Sequence, residues 1–70
     1  MRIKMVRDDL EERKKSSFEV EEDITVADFL DNQGIERQEV LVSRDGGIIS
    51  ETQVLEDGDE INVFDVIAGG

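Results

Sequence analysis

Apolar and polar residues alternate twice near the start of the chain, in Arg2-Ile3-Lys4-Met5-Val6 and in Ser17-Phe18-Glu19-Val20-Glu21. A two-residue period marks a half-buried strand. It turns Ile3, Met5, Phe18 and Val20 toward a core. Between these runs, Asp8 to Lys15 is almost wholly charged, with Leu10 its single apolar residue. That stretch predicts a solvated loop, with room for a short helical turn, closing a first hairpin.

The period then changes. Val26, Phe29 and Leu30 recur at i, i+3 and i+4, which places them on one face of a helix. Thr25 is a natural N-cap and Asp28 stands at the third helical position, close to a capping box. Ile24 before the cap and Phe29 at the fourth position have the spacing of a hydrophobic staple. Gly34 supplies a left-handed stop, and Ile35 after it can touch Leu30. A helix over about 26–33 follows. It is too short to stand alone, so it packs on a sheet.

Glu39-Val40-Leu41-Val42-Ser43 reads as a buried strand. Arg44-Asp45-Gly46-Gly47 is turn chemistry, and Ile48-Ile49 forms a short strand behind it. Glu51 to Leu55 reads as an irregular connection and Glu56-Asp57-Gly58-Asp59 as a second turn. Glu60 to Ile67 is the last strand and the densest apolar run, placed centrally. Alternation puts Ile61 and Val63 under the helix, and Phe64 and Val66 on the opposite face. Strands on both sides of one helix give an α+β fold, a mixed sheet of four to five strands packed on one helix. The expected core is Ile3, Met5, Phe18, Val20, Val26, Phe29, Leu30, Val40, Val42, Ile61 and Val63.

Composition narrows the chemistry. Seventy residues make one small domain, expected over 1–67. With no Cys and no His, disulfides and the usual structural zinc sites are excluded, and the fold rests on packing. The 19 acidic against 8 basic residues give a formal charge of −11. This argues against nucleic-acid binding, which needs a basic face. It suits solubility, a salty cytoplasm, or attraction to a basic docking cleft. Without His or Cys the chain lacks the commonest acid–base and nucleophilic groups, and it is expected not to be an enzyme. No run is long enough for a membrane span, and no signal-peptide pattern opens the sequence. Cytoplasmic location is the expectation.

The sequence closes on Val66-Ile67-Ala68-Gly69-Gly70. Read as a free carboxyl end, residues 68–70 form a flexible tail held out by a packed strand. Glycine backbone passes where any Cβ would clash, so the tail suits insertion into the narrow active site of another protein. The reactive group is then the carboxylate of Gly70, with Ala68 and Gly69 as the thread that delivers it. Phe64 and Val66, just before the tail, are the candidate docking patch.

The last fifteen residues, with the D-G-D-x-I turn and strand at Asp57-Gly58-Asp59-Glu60-Ile61 and the Val66-Ile67-Ala68-Gly69-Gly70 ending, resemble the ThiS/MoaD sulfur-carrier family. The helix start Thr25-Val26-Ala27-Asp28-Phe29-Leu30 is similar to that family's T-V-x-x-L-L pattern. The element order matches the family's ubiquitin-like β-grasp fold. The longer, charged segment Asp8 to Lys15 and the acidic composition also look like small archaeal modifier proteins.

This resemblance implies a carrier whose carboxyl end is adenylated by a ubiquitin-activating-type enzyme. That partner uses ATP and magnesium, and this chain binds no cofactor or metal of its own. Sulfur from a donor protein's persulfide then leaves a thiocarboxylate on Gly70, for delivery to an acceptor enzyme in thiamine, molybdopterin or tRNA thiolation. The alternative is a ubiquitin-like modifier joined to target-protein lysines. Lys4, Lys14 and Lys15 are then either acceptors for chains or plain solvated charge. A passive β-grasp binding module is the third reading.

Overall fold

A computed structural model describes residues 1–8 and 13–66. Residues 9–12, Ile67 and the expected 68–70 tail lie outside the described residues. The chain opens with β1 (Arg2–Asp8) and β2 (Arg13–Glu19), antiparallel from Arg2↔Glu19 to Asp8↔Arg13. Asp8 and Arg13 to Lys15, expected in a loop, are paired strand residues instead. The ladder satisfies their backbone groups whatever the side chains. Every side chain from Arg13 to Ser17 is exposed, so their charges stay in water. At its other end β2 stops at Glu19, short of Glu21.

Helix α1 (Val26–Asn32) begins and ends as its sequence dictates. The Thr25 hydroxyl accepts a 3.2 Å hydrogen bond from the Asp28 N–H. Ile24 and Phe29, the two staple positions, are both buried. At the other end Gln33 is the C-cap and Gly34 has φ +72°. The Ile35 N–H bonds back to the Leu30 carbonyl at 2.9 Å and the Gly34 N–H to Asp31 at 3.0 Å. This bond pair is the Schellman motif.

A 3₁₀ turn (Arg37–Glu39) leads into β3 (Val40–Arg44), followed by β4 (Gly47–Ile49) and β5 (Glu60–Asp65). Asp45 and Gly46 both have positive φ, the geometry that joins two strands through a two-residue turn without splaying them. The sheet order is β2-β1-β5-β3-β4. β1 and β5 run parallel, and the other neighbours are antiparallel. β5 is thus the central strand, as its apolar density predicted. One helix on a mixed five-stranded sheet makes this a ubiquitin-like β-grasp.

The core lies between α1 and one sheet face. Met5 is in register with Ile61, and Val63 with Val42, which meets Ile49 beyond it. Phe29, Leu30 and Val26 cover this layer, each at most 2% exposed. Phe18 and Val20, expected in the core, are only half-buried, because β2 is an edge strand with a neighbour on one side and Val20 lies just past its end. Phe18 still meets Phe29 edge-on, with ring centroids 5.6 Å apart at 77°. Ile24 and Leu55 are buried core residues that periodicity did not single out. Both flank the Thr25↔Val54 bridge, and Leu55 is tied by its N–H to the Ile24 carbonyl at 2.8 Å. The Glu51 to Leu55 connection is therefore anchored under the helix start.

Candidate functional site

Two bonds fix the end of the central strand. Arg7 donates to the Asp65 carboxylate at 2.8 Å, and the Val66 N–H donates to the Glu39 carbonyl at 2.9 Å. The first ties β5 to β1, and the second carries its pairing with β3 one residue past the strand. Ala68, Gly69 and Gly70 lie outside the described residues. Phe64 and Val66 lie within them.

Strand alternation places Phe64 and Val66 on the sheet face away from α1, as expected. Phe64 is half-buried and Val66 is 43% exposed. The register extends this patch. Phe64 lies opposite Leu41 on β3, and the next row runs Val6, Asn62, Ser43 and Ile48 across four strands. Leu41 and Ile48 are exposed at 41% and 59%, while Val6 is 3% exposed. An exposed apolar cluster of this kind on a small domain is a candidate interaction surface.

Leu41 and Ile48 were not picked out from the sequence. The signal was present in Glu39-Val40-Leu41-Val42: three apolar residues in a row on a strand force one to the outer face. Val6 carried the same signal next to Met5.

The first hairpin is also electrically distinct. Six of the eight cations, Arg2, Lys4, Arg7, Arg13, Lys14 and Lys15, stand on β1 and β2, in a chain of net charge −11. Lys15 meets the Glu60 carboxylate at 2.8 Å. That hydrogen bond and the charge of Lys15, with smaller help from Lys4 and Arg13, hold the Glu60 carboxyl below the usual glutamate range. From the end of β2 onward, Glu19, Glu21, Glu22, Asp23, Asp28 and Asp31 line an open groove beside α1. The chain is thus polarised, with cations on the first hairpin beside the apolar patch and acids along the helix. Among the described residues, no group of three or more His, Cys, Asp or Glu is placed to hold a metal ion. No helix among them is long and apolar enough to cross a membrane.

Comparison with known proteins agrees with this architecture. The profile of the ThiS family matches residues 6–70. The fold is similar to the crystal structure of SAMP1 from Haloferax volcanii, with a TM-score of 0.72 and 20% identity over 100% of both chains. It is also similar to a ubiquitin-like protein from the hyperthermophilic archaeon Caldiarchaeum subterraneum. There the TM-score is 0.64 and the identity 18%, over 99% of this chain and 100% of that one. Curated protein sequences give no significant match.

Proposed function

The chain belongs to the ThiS family, and from that premise we propose that it is a sulfur carrier whose reactive atoms are those of the Gly70 carboxyl group. The observation that carries this reading is the continuity of the central strand with the diglycine sequence. β5 is held on both sides, and its exit is pinned by Arg7–Asp65 and Val66–Glu39. Anchoring Asp65 and Val66 fixes where the chain leaves the domain, and positioning of a reacting group contributes to rate.

A carboxylate resists attack by sulfur because it is already negative and has no leaving group. A ubiquitin-activating-type enzyme removes that obstacle. The Gly70 carboxylate oxygen attacks the α-phosphorus of ATP, and the bond to pyrophosphate breaks. In the acyl-adenylate AMP is the leaving group. The terminal sulfur of a donor persulfide then attacks the acyl carbon and expels AMP. A thiol cleaves the resulting S–S bond and takes the donor sulfur into a new disulfide, leaving the thiocarboxylate on Gly70. The partner enzyme holds ATP and magnesium and stabilises the charge that develops on phosphate. This chain contributes the reachable end and the docking face formed by Phe64, Val66, Leu41 and Ile48. It performs no chemistry of its own.

A second reading, covalent modification of target lysines, is favoured by the likeness to a ubiquitin-like protein. It uses the same acyl-adenylate, captured through a thioester by an amine. Intact mass of the protein isolated from its native cells separates the two. Exchange of one oxygen for sulfur identifies a carrier, and diglycine remnants on lysines of other proteins identify a modifier. An unaltered mass with no remnants, together with no pyrophosphate exchange by the cognate enzyme, leaves a passive binding module.

A further inference from the structure

We propose that two copies of this chain pair through β2, antiparallel and centred on Ser16, so that their sheets become continuous. β2 is an edge of the sheet, seven residues long. The opposite edge, β4, has only three. A long unpaired edge is a template for another strand.

The hydrogen-bond pattern says which residues offer it. Met1 and Val20 exchange both of their backbone bonds, each 2.8 Å. Antiparallel pairs alternate between bonded and non-bonded. With the β1–β2 register, Phe18, Ser16 and Lys14 therefore turn their backbone groups toward β1. Arg13, Lys15, Ser17 and Glu19 turn theirs to the open edge. An incoming antiparallel strand can bond only in registers that match these odd positions with odd positions of its own.

Charge then selects the partner and the direction. Cations on an edge normally blunt it. Here they occupy one end, Arg13-Lys14-Lys15, and the other end carries Glu19, with Glu21, Glu22 and Asp23 beyond it. Such a strand complements its own reverse. An antiparallel copy sets basic residues against acidic ones, whereas a parallel copy opposes like charges, which destabilises cross-strand pairs. Centring on Ser16 uses the whole strand. Arg13 then faces Glu19 of the second copy at both ends, and Lys15 faces Ser17. Glu19 already pairs with Arg2 of its own chain at 2.7 Å in either register, so ladder length decides: centring on Ser17 leaves Arg13 opposite Glu21, beyond the end of β2. The two-fold axis is perpendicular to the sheet, so both outer faces stay on the same side and open. One strand pair buries far less than the roughly 1,600 Å² of a standard interface. The association is therefore weak and needs high protein concentration.

The chain has no cysteine, so Ser16→Cys places a single thiol on the proposed axis. Opposite residues at a non-bonded position have Cα atoms about 4.5 Å apart, within the roughly 4.4–6.8 Å span of a disulfide. Under mild oxidation the full-length Ser16→Cys protein should form a disulfide dimer at least about tenfold faster than Ser17→Cys, because pairing raises the effective thiol concentration. Adding Arg13→Glu, or adding Glu19→Lys, to Ser16→Cys should each slow dimer formation to the Ser17→Cys rate. Mixing those two double variants should restore it, since each then meets the opposite charge. Circular dichroism confirms that all variants fold. Equal rates for Ser16→Cys and Ser17→Cys, a faster Ser17→Cys, or no rescue on mixing would each overturn the proposal.

Discussion

Arg44 and Asp59 form the best-shielded ion pair among the described residues, 2.8 Å between Nη1 and Oδ2, with side chains 21% and 17% exposed. The same Asp59 oxygen accepts the Glu56 N–H at 2.8 Å, and Arg44 Nη1 also reaches the Val54 carbonyl at 3.5 Å. One carboxylate thus closes the Glu56–Asp59 turn and ties it to β3. Its neighbours act in the same turn. Asp57 accepts the Arg2 N–H at 2.8 Å, and Gly58 takes φ +86°, a conformation costly to any residue with a Cβ. The D-G-D sequence is therefore the clamp that starts the central strand in register beside β1.

Asp59→Ala should cost about 1–3 kcal/mol, since it leaves a half-buried guanidinium and a turn N–H without their acceptor. At this chain length each kcal/mol corresponds to roughly 4–8 °C in Tm. Arg44→Ala should cost less, because the Glu56 N–H keeps its bond. Thermal melts of the two single variants and the double variant measure the coupling. A coupling near zero would show that the pair contributes only through its separate contacts.

Much of this fold is legible in the sequence because its signals are local. Thr25, Asp28 and Gly34 specify the helix by bonds reaching only three to five residues. Alternation assigns the inner face of β1, β3 and β5 because those strands have neighbours on both sides. Where the sequence misled, the missing information was long-range. Arg13 to Lys15 look like loop because their partners lie across a hairpin and their side chains never leave water. Leu55 looks incidental until the Thr25↔Val54 bridge carries it under α1. For the candidate site, Phe64 and Val66 were legible from alternation. Leu41 and Ile48 join them only through the β5-β3-β4 order. The polarised charge was hidden in a net total.

Phe29→Ala removes a fully buried ring and the edge-on contact with Phe18. The expected loss is about 3–5 kcal/mol, a large part of the stability of a chain of this size. Urea denaturation should show a collapse of the midpoint or a chain already unfolded in buffer. Ala27→Ser, on the half-buried side of the same helix, should change stability far less.

Asn62 faces away from the helix between Val6 and Ser43, and its Oδ1 is buried without a hydrogen-bond partner. Replacing an unpaired polar group with an apolar one of similar size removes a desolvation cost, and valine suits a central strand. Asn62→Val should therefore stabilise the domain by about 1 kcal/mol in urea melts. A destabilised variant would mean that the amide makes a bond essential to the fold.

The Glu60 carboxyl titrates below its ordinary range because the charged form is held by Lys15. A depressed folded-state value means that its contribution is present above the unfolded value, about 4.3 for glutamate. The contribution is lost as pH falls through the folded value. Lys15→Gln should move the Glu60 midpoint up toward the ordinary glutamate range, read by carboxyl NMR during a pH titration. It should also remove the part of the acid-side stability change that belongs to Glu60. An unmoved midpoint would show that Lys4 and Arg13 dominate instead.

Docking and chemistry should separate in the kinetics of the adenylating enzyme. Leu41 and Ile48 are exposed on the outer face, so Leu41→Ala and Ile48→Ala leave the core intact and test docking cleanly. Phe64→Ala tests the centre of the patch but needs a stability control, because the ring is half-buried. A true interface anchor costs at least about 2 kcal/mol on truncation, roughly thirtyfold in affinity. In pyrophosphate exchange such variants should raise KM and leave kcat near normal, since the tail still reaches the α-phosphate once bound. Deleting Gly70 should do the reverse. The docking face is untouched, so the shortened chain should bind and compete with the full-length protein. Exchange should nevertheless be abolished, because a displacement of about 1 Å already costs on the order of 10²-fold. Gly69→Val should bind and fail in the same manner, its branched side chain meeting a channel shaped for bare backbone. If the Gly70-deleted protein exchanges as fast as the full-length one, the terminus is not the reactive group. If the outer-face variants bind normally, the enzyme docks elsewhere on the domain.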